Sequence, residues 1–199
     1  DDDGEVADDT RVKLLAAFND PAVVAVRGKI IFKRHRYFTT LGSHYDRGPQ
    51  IMDDTLSVEG HMAIYRAAYY LSGGFGDRFY GGEGAWLTLA LHKTFANGRV
   101  IYAPDVVMRH DFFQNWGHFY RKSISYANIL DKVAAQEPEA LEFQRFMSAE
   151  FGKRKPRGPM RGDERVAWLG LCALRFVIQK VVPAARVVQG DRSAASPRR

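Results

Sequence analysis

A short run of apolar, mostly β-branched residues at positions 22–26 is the feature that most constrains the fold of this chain. Its composition predicts a buried β-strand, and Gly28 is expected to close that strand. An acidic capping cluster that ends at Thr10 predicts a helix just before the strand, and Pro21 stops this helix. A helix that leads into a buried strand is typical of an α/β fold.

The alternation of strands and helices continues to residue 111. The predicted elements are a helical piece at 36–45 within an irregular segment 29–57, a strand at 61–65, helices at 66–71 and 83–96, and two extended segments at 100–103 and 106–108 on either side of Pro104. Residues 1–111 are therefore expected to surround one sheet.

The rest of the chain is predicted to be mostly helical. Helices are expected at 115–135, 137–151 and 163–182, with a linker at 153–162 that contains two prolines and two glycines. We divide the chain into a first unit at 1–127, a helical extension at 128–189 and a polar, basic tail at 190–199 that is expected to be disordered.

The composition supports a folded protein without disulfides. Apolar residues make up 46% of the 199 residues, enough to bury a core, and Cys172 is the only cysteine. The net charge of +6 is uneven, because an acidic start contrasts with a basic cluster at 153–161. This asymmetry indicates a localised anionic partner. The uncharged run 166–174 is too short to span a bilayer, which leaves an amphipathic surface helix as the membrane option.

The acidic triplet Asp1, Asp2 and Asp3 is the first of three motifs with candidate chemistry. Carboxylates at alternate positions can converge on one hard cation, and oxygen ligands suit Mg²⁺ or Mn²⁺. The alternative is a solvated acidic segment or a helix-capping cluster. Short acidic runs are common, so the triplet alone favours that alternative.

Glu83 and His110 belong to the other two motifs. Glu83 follows a glycine pair that ends at Gly82 and opens a helix, where the helix dipole favours its ionised form. The Gly-rich loop before it can fold over a substrate. His110 follows a strand, and a neutral imidazole there is a suitable metal ligand. Taken singly, an ordinary first-turn glutamate and a satisfied polar histidine are the more common cases.

The order and spacing of these motifs resembles the second half of the family 2 glycosyltransferases, which have the GT-A fold. The segments that carry the resemblance are the acidic triplet, 18–21, 27–28, Met62-Ala63-Ile64-Tyr65-Arg66, Gly73-Gly74-Phe75, Gly82-Glu83, 98–105 and His110. The motifs are specific as a set, although no single one is, and they cover residues 1–127. The resemblance implies an α/β fold, a truncated GT-A domain with a mixed sheet and helices, followed by C-terminal helices.

The resemblance also implies a metal and donor site. Asp1 and Asp3 match the Asp-x-Asp motif that holds the metal, and the triplet as a whole, including Asp2, is implied to bind the donor diphosphate. His110 matches a histidine that completes the metal site in many members of the family. The implied cofactor is Mg²⁺ or Mn²⁺.

The implied acceptor site contains one departure from the family pattern. Glu83 matches the first residue of a Glu-Asp pair whose Asp usually deprotonates the acceptor hydroxyl, but Gly84 stands at that second position. Glu83 is therefore the candidate base, unless the site is inactive. Gly82 and Trp116 are the candidate acceptor-binding residues, and Trp116 is expected to be exposed among aromatic neighbours that mostly pack inward.

The function implied by the resemblance is metal-dependent transfer of a sugar, with inversion, from a nucleotide-sugar donor to a hydroxyl of a saccharide or lipid-linked acceptor. Because the resemblance covers only the second half of the fold, the chain alone is expected to be inactive. The expected location is the cytoplasm, with peripheral binding to the anionic inner face of the membrane as an option for the C-terminal segment.

Two alternatives stay open. One is a catalytically inactive, truncated glycosyltransferase. The other is a basic module that binds a membrane or nucleic acid through 153–161 and the tail. Nucleic acid is not an expected partner, because no nucleic-acid motif is recognisable and aromatic residues do not interleave with the basic run.

Overall fold

The structure, a computed structural model, describes residues 4–42, 44–57, 60–75, 83–127, 142, 145–146, 149 and 157–181. These residues form the mixed α/β fold that the sequence predicts. The strands are β1 (Glu5–Val6), β2 (Val23–Ile31), β3 (Met52–Asp53), β4 (Met62–Ile64) and β5 (Arg99–Arg109). The helices are α1 (Thr10–Ala17), α2 (Arg36–Thr39), α3 (Arg66–Leu71), α4 (Glu83–Thr94), α5 (Trp116–Ala127) and α6 (Gly162–Phe176), and a π-helical turn, Val177–Val181, follows α6.

Strands β2 and β5 pair in parallel and form the centre of the sheet. The strand order is β1-β5-β2-β4, and β3 also pairs with β5. β1 and β3 are both antiparallel to β5 and lie on its second edge, β3 near its start and β1 near its end. β4 is antiparallel to β2, so a parallel pair stands between antiparallel edge strands.

Gly28 does not close β2, contrary to the sequence-based prediction. The strand continues to Ile31, and its register against β5 shifts between Gly28 and Lys29. The shift accommodates residues 104–106 of β5 as a bulge, because Pro104 has no N–H for the ladder. The two extended segments predicted on either side of Pro104 are therefore one strand.

The absence of a side chain at Gly28 lets His61 pack against the bulge. A Cβ at position 28 would lie 2.2 Å from His61 Nε2 and 2.5 Å from the Val106 oxygen. His61 Nε2 lies 3.1 Å from the Val106 carbonyl, and because a carbonyl only accepts, this nitrogen carries the proton. Burial lowers the pKa of His61, which keeps the imidazole neutral. The bulge is thus held by a neutral histidine.

Helices cover both faces of the sheet. Ala25 and Val26 point to opposite faces, because side chains alternate along a strand. On the Val26 face, α1 packs on a cluster of Val23, Val26, Ile101, Ala103 and Val106. On the Ala25 face, α3 and α4 contribute to a cluster of Ala25, Leu56, Ala68, Leu87, Leu91 and Val100.

A third cluster joins the ends of β2 and β5 to the last helices. Its buried members come from both strands, α2, α5, α6, the π-helical turn and the segments that follow α2 and β5. They are Ile30, Phe38, Leu41, Tyr45, Met108, Phe112, Phe113, Phe119, Leu171 and Ile178. Helix α6 also pairs with α2 at the surface, where Arg36 forms ion pairs with Asp163 and Glu164. Helix α6 is thus anchored beside the carboxyl end of the sheet.

Several predicted bounds are confirmed, and others fall outside the described residues. The helix predicted at 66–71 is α3, the helix predicted from residue 83 is α4, and α6 begins one residue before the predicted 163. The helix predicted at 115–135 is described only as far as Ala127. Most of 128–156 and all of 190–199 lie outside the described residues, so the helix at 137–151 and the disordered tail stay predictions. Among the helices of the described part, none combines the length and apolar character needed to cross a bilayer.

Candidate functional site

The carboxyl ends of β2 and β5 form the edge at which the candidate site lies. Ile31 ends β2, Arg109 ends β5, and the two are register partners. His110 follows directly and is buried, and its N–H donates to the Ile31 carbonyl at 2.9 Å. Its ring lies 6.3 Å from that of Tyr45. The main chain therefore fixes His110 at the end of the parallel pair, where α/β folds commonly bind ligands.

Asp111, the next residue, binds the loop before α2. Its Oδ1 accepts the backbone N–H groups of Lys33 at 3.0 Å, Arg34 at 3.0 Å and His35 at 2.8 Å. Burial acts to raise the pKa of the Asp111 carboxyl, but these three N–H groups together hold it below its usual value. An ionised Asp111 thus fastens the end of β2 to the end of β5, and its role is structural.

Strand β1 brings the beginning of the described chain beside His110. Glu5 is the register partner of Arg109, and its carboxylate lies 2.8 Å from the ammonium of Lys33. A cavity of about 360 Å³ lies at this junction, and its wall includes Glu5, Val6, Asp8, Ile31, Val107 and Arg109. The chain that directly follows the acidic triplet therefore lies at the carboxyl end of the sheet.

The acidic triplet itself is not described. Asp1, Asp2 and Asp3 lie outside the described residues, so the predicted metal site that joins Asp1 and Asp3 to His110 stays a prediction. Within the described ranges, no group of three or more His, Cys, Asp or Glu side chains could hold a metal ion.

Glu83 opens α4, as the sequence predicts. The 12 residues of α4 end just before β5 begins, and a helix of that length is about 18 Å long. The Thr88 hydroxyl accepts the N–H of Leu56 at 2.9 Å and donates to the carbonyl of Gly84 at 2.7 Å, which ties the first turn of α4 to the segment after β3. Gly82, a candidate acceptor residue, lies outside the described residues.

Trp116 is exposed, as predicted, with 62% of its surface accessible at the start of α5. Its ring meets the edges of Phe38 at 4.9 Å and Phe119 at 5.8 Å, so packing fixes its orientation. It lines a cavity of about 500 Å³ between α2 and α6, whose wall also includes Phe38, Ala167, Leu171 and Leu174 and whose rim includes Arg34 and Arg36. Contact with an acceptor stays a prediction.

A buried cluster of three charged side chains lies inside the fold and was not predicted from the sequence. Arg27 of β2 donates to Asp54 Oδ2 through Nε at 3.0 Å and also through Nη2, and Arg47 Nε lies 3.3 Å from the same oxygen. The Arg27 guanidinium also stacks 4.6 Å from the ring of Tyr102. Burial lowers the pKa of Arg27, and the Asp54 carboxylate opposes this effect. The cluster joins β2, β5 and the long segment between β2 and β4.

The sequence does contain signals for the residues that were missed. Arg27 directly follows the apolar run 22–26, and a charged side chain in a buried strand is unusual unless it is paired. Asp111 directly follows His110, so its carboxylate could have been recognised as an acceptor for backbone N–H groups at the same strand end.

The whole chain matches no known protein-family model, no curated protein and no solved structure.

Proposed function

We propose that this chain contains the acceptor and catalytic part of a GT-A glycosyltransferase of family 2. Its reaction is the transfer of a sugar, with inversion, from a nucleotide-sugar donor to a hydroxyl of a saccharide or lipid-linked acceptor. The observation that carries the proposal is the pairing of Glu5 with Arg109, since it sets the chain that follows the acidic triplet beside His110. The resemblance implies that the acidic triplet and His110 converge, and this pairing supports that expectation.

The donor set proposed for the metal is Asp1, Asp3 and His110. Of the other acids at this edge, Glu5 is engaged by Lys33 and Asp111 by three backbone N–H groups. Asp8 also lines the cavity at this edge, and it is the resemblance that favours the triplet as the source of the carboxylate ligands. Oxygen ligands with one imidazole suit Mn²⁺ or Mg²⁺, and such an ion supplies charge neutralisation of the departing diphosphate.

Glu83 is the proposed general base. It lies in the first turn of α4, and the proposal requires that it face the same cleft as His110, where a carboxylate can take the proton of an acceptor hydroxyl as that oxygen attacks the sugar carbon. The preceding glycines, including Gly82, allow the acceptor to approach closely. Trp116 presents an exposed indole face on which a sugar ring can stack.

A second candidate function is that of an inactive member of the same family, and Gly84 favours it. This buried glycine stands where the family usually has the catalytic Asp. If Glu83 does not act as the base, the site still binds a metal and a diphosphate but transfers no sugar.

The test is a donor-consumption assay with a panel of nucleotide sugars and Mg²⁺ or Mn²⁺. The 199-residue chain is assayed beside a longer chain that also carries the first half of the fold. We expect activity only in the longer chain. In that chain, Glu83→Gln is expected to lower the rate by about 10²–10⁴-fold, whereas the matched control Asp53→Asn, at an exposed site on β3, leaves it unchanged.

The variants separate the two candidate functions. Full activity of Glu83→Gln contradicts the assignment of Glu83 as the base. Activity that appears only in Gly84→Asp identifies the parent as an inactive glycosyltransferase. Failure of every variant to bind or consume any nucleotide sugar overturns both.

A further inference from the structure

Helix α6 carries a stripe of apolar side chains that faces away from the core. The exposed members are Val166, Leu169, Ala173, Phe176 and Val177. Their spacing of three, four, three and one residues places them on one side of a helix. The other side of the same segment is buried through Leu171 and Ile178. Because a surface helix normally turns its apolar stripe inward, a second, outward stripe indicates a surface that something covers.

The stripe continues into the cavity between α2 and α6. Gly170 and Leu174 flank the stripe on α6 and line this cavity of about 500 Å³, and Trp116 forms another part of its wall. The indole is held in place by its contacts with Phe38 and Phe119. We call the stripe, the cavity and Trp116 the α6 face.

Positive charges surround the α6 face. Arg165 and Lys180 are exposed just before and just after the stripe, and Arg34 is exposed at the rim of the cavity. The two carboxylates at the start of α6, Asp163 and Glu164, are both paired with Arg36. The surface therefore combines an apolar centre with a cationic margin.

We propose that the α6 face docks on the surface of an anionic lipid membrane. Apolar and aromatic side chains of such a helix enter the boundary between headgroups and acyl chains, and flanking Lys and Arg side chains reach the anionic headgroups. The cationic margin argues against a second copy of this chain as the occupant. In a symmetric pair the same patch meets itself, which brings the cations of the two copies together.

The proposal shares Trp116 with the proposed acceptor site but uses neither His110 nor Glu83, and its test, apart from a control on α1, alters only residues of α6, so it does not rest on the proposed function. The sequence left two membrane options open, the basic run 153–161 with the tail and an amphipathic surface helix that contains 166–174. The proposal takes the second, because the exposed apolar side chains lie on α6.

The test is co-sedimentation of the 199-residue chain with vesicles of phosphatidylcholine, alone or mixed with phosphatidylglycerol. We expect binding to the mixed vesicles and much weaker binding to phosphatidylcholine alone. Leu169→Asn and Phe176→Asn are each expected to lower the partition coefficient about tenfold, and Arg165→Gln about fivefold. The matched control is Val12→Asn, which removes an equally exposed apolar side chain from α1 without a change of charge and is expected to bind as the parent does.

Two controls keep the outcome decisive. Thermal unfolding checks that each variant is folded. Because there are two independent stripe variants, the test still works if one of them fails to fold. Equal binding of the stripe variants and Val12→Asn overturns the proposal, as does a dimer in sedimentation equilibrium that Leu169→Asn dissociates. The assay contains neither metal nor nucleotide sugar, so its failure and the failure of the proposed function are distinguishable.

Discussion

Asp54 and Asp111 are both buried carboxylates, but their partners differ in kind. Asp54 compensates two guanidinium groups, those of Arg27 and Arg47, whereas Asp111 accepts three backbone N–H groups. In each case the charge is acceptable inside the protein only because its partners are in place. Removal of each carboxylate therefore has a different and measurable consequence.

Replacement of Asp54 is expected to be strongly destabilising. Asp54→Ala leaves two buried guanidinium groups without their counter-charge, and the free energy of unfolding should fall by about 3–5 kcal/mol. The neighbouring Asp53 pairs with Arg99 at the surface, so Asp53→Ala should cost less than about 1 kcal/mol. Urea denaturation of both variants measures the difference. Equal effects would show that the Asp54 cluster does not stabilise the fold.

The contribution of Asp111 is expected to depend on pH. Because its pKa in the folded protein lies below the usual value of 3.8, its stabilisation is fully present above that value and is lost as pH falls through the folded pKa. Asp111→Asn should lower the free energy of unfolding by about 1–3 kcal/mol at pH 5–7. The gap between parent and variant should shrink below about pH 4. Unfolding curves across this range, with Asp105→Asn at an exposed site as the control, measure the difference in free energy of unfolding between the parent and Asp111→Asn. A difference that widens as the pH falls contradicts the prediction.

At the scale of elements, the central pair β2 and β5 depends on a bulge that was not predicted from the sequence. Gly28 leaves room for the His61 ring, and residues 104–106 bulge where Pro104 cannot donate to the ladder. The consequence is a strand long enough to carry His110 to the same edge as β1. The geometry of the candidate site thus depends on one position without a side chain.

A methyl group at position 28 is expected to disturb this arrangement. Gly28→Ala would place its Cβ against His61 and the Val106 carbonyl, and we expect a loss of about 1–3 kcal/mol in the free energy of unfolding. Gly170→Ala on α6 meets no atom within 4 Å and should stabilise the helix by about 0.5–1 kcal/mol. Chemical denaturation of both variants tests the pair. If Gly28→Ala leaves the free energy of unfolding unchanged, the packing of His61 against residue 28 does not stabilise the fold.

Elements with strong local signals could be predicted from the sequence, and those that depend on distant partners could not. The apolar spacing and the stop signals gave α1, α3 and the start of α4 at Glu83. Strand β3 has two residues and exists only because Met52 and Asp53 pair with β5. Arg27 and Asp54 are 27 positions apart, so nothing local in the sequence links them. For the candidate site, the position of His110 at a strand end was predictable, but the three N–H groups that bind Asp111 were not.

At the scale of the whole molecule, two regions with different chemistry lie at the carboxyl end of the sheet. One is the edge at His110, where β1, β2 and β5 meet. The other is the α6 face, with its exposed apolar stripe and cationic margin. A transferase that works on acceptors at a membrane would need both, and each can be tested without the other.

The metal site at the His110 edge is the central claim, and paramagnetic NMR tests it most directly. Mn²⁺ is titrated, with a nucleoside diphosphate present, into the ¹⁵N-labelled 199-residue chain, and Mg²⁺ serves as the diamagnetic control. We predict that the amide signals of Glu5, Arg109, His110 and Asp111 broaden first, because the ion shortens the relaxation of nearby protons, while the signals of Val23 and Arg99, at the opposite end of the parallel strands, persist. Broadening centred on any other part of the chain, or no selective broadening at all, would contradict the claim.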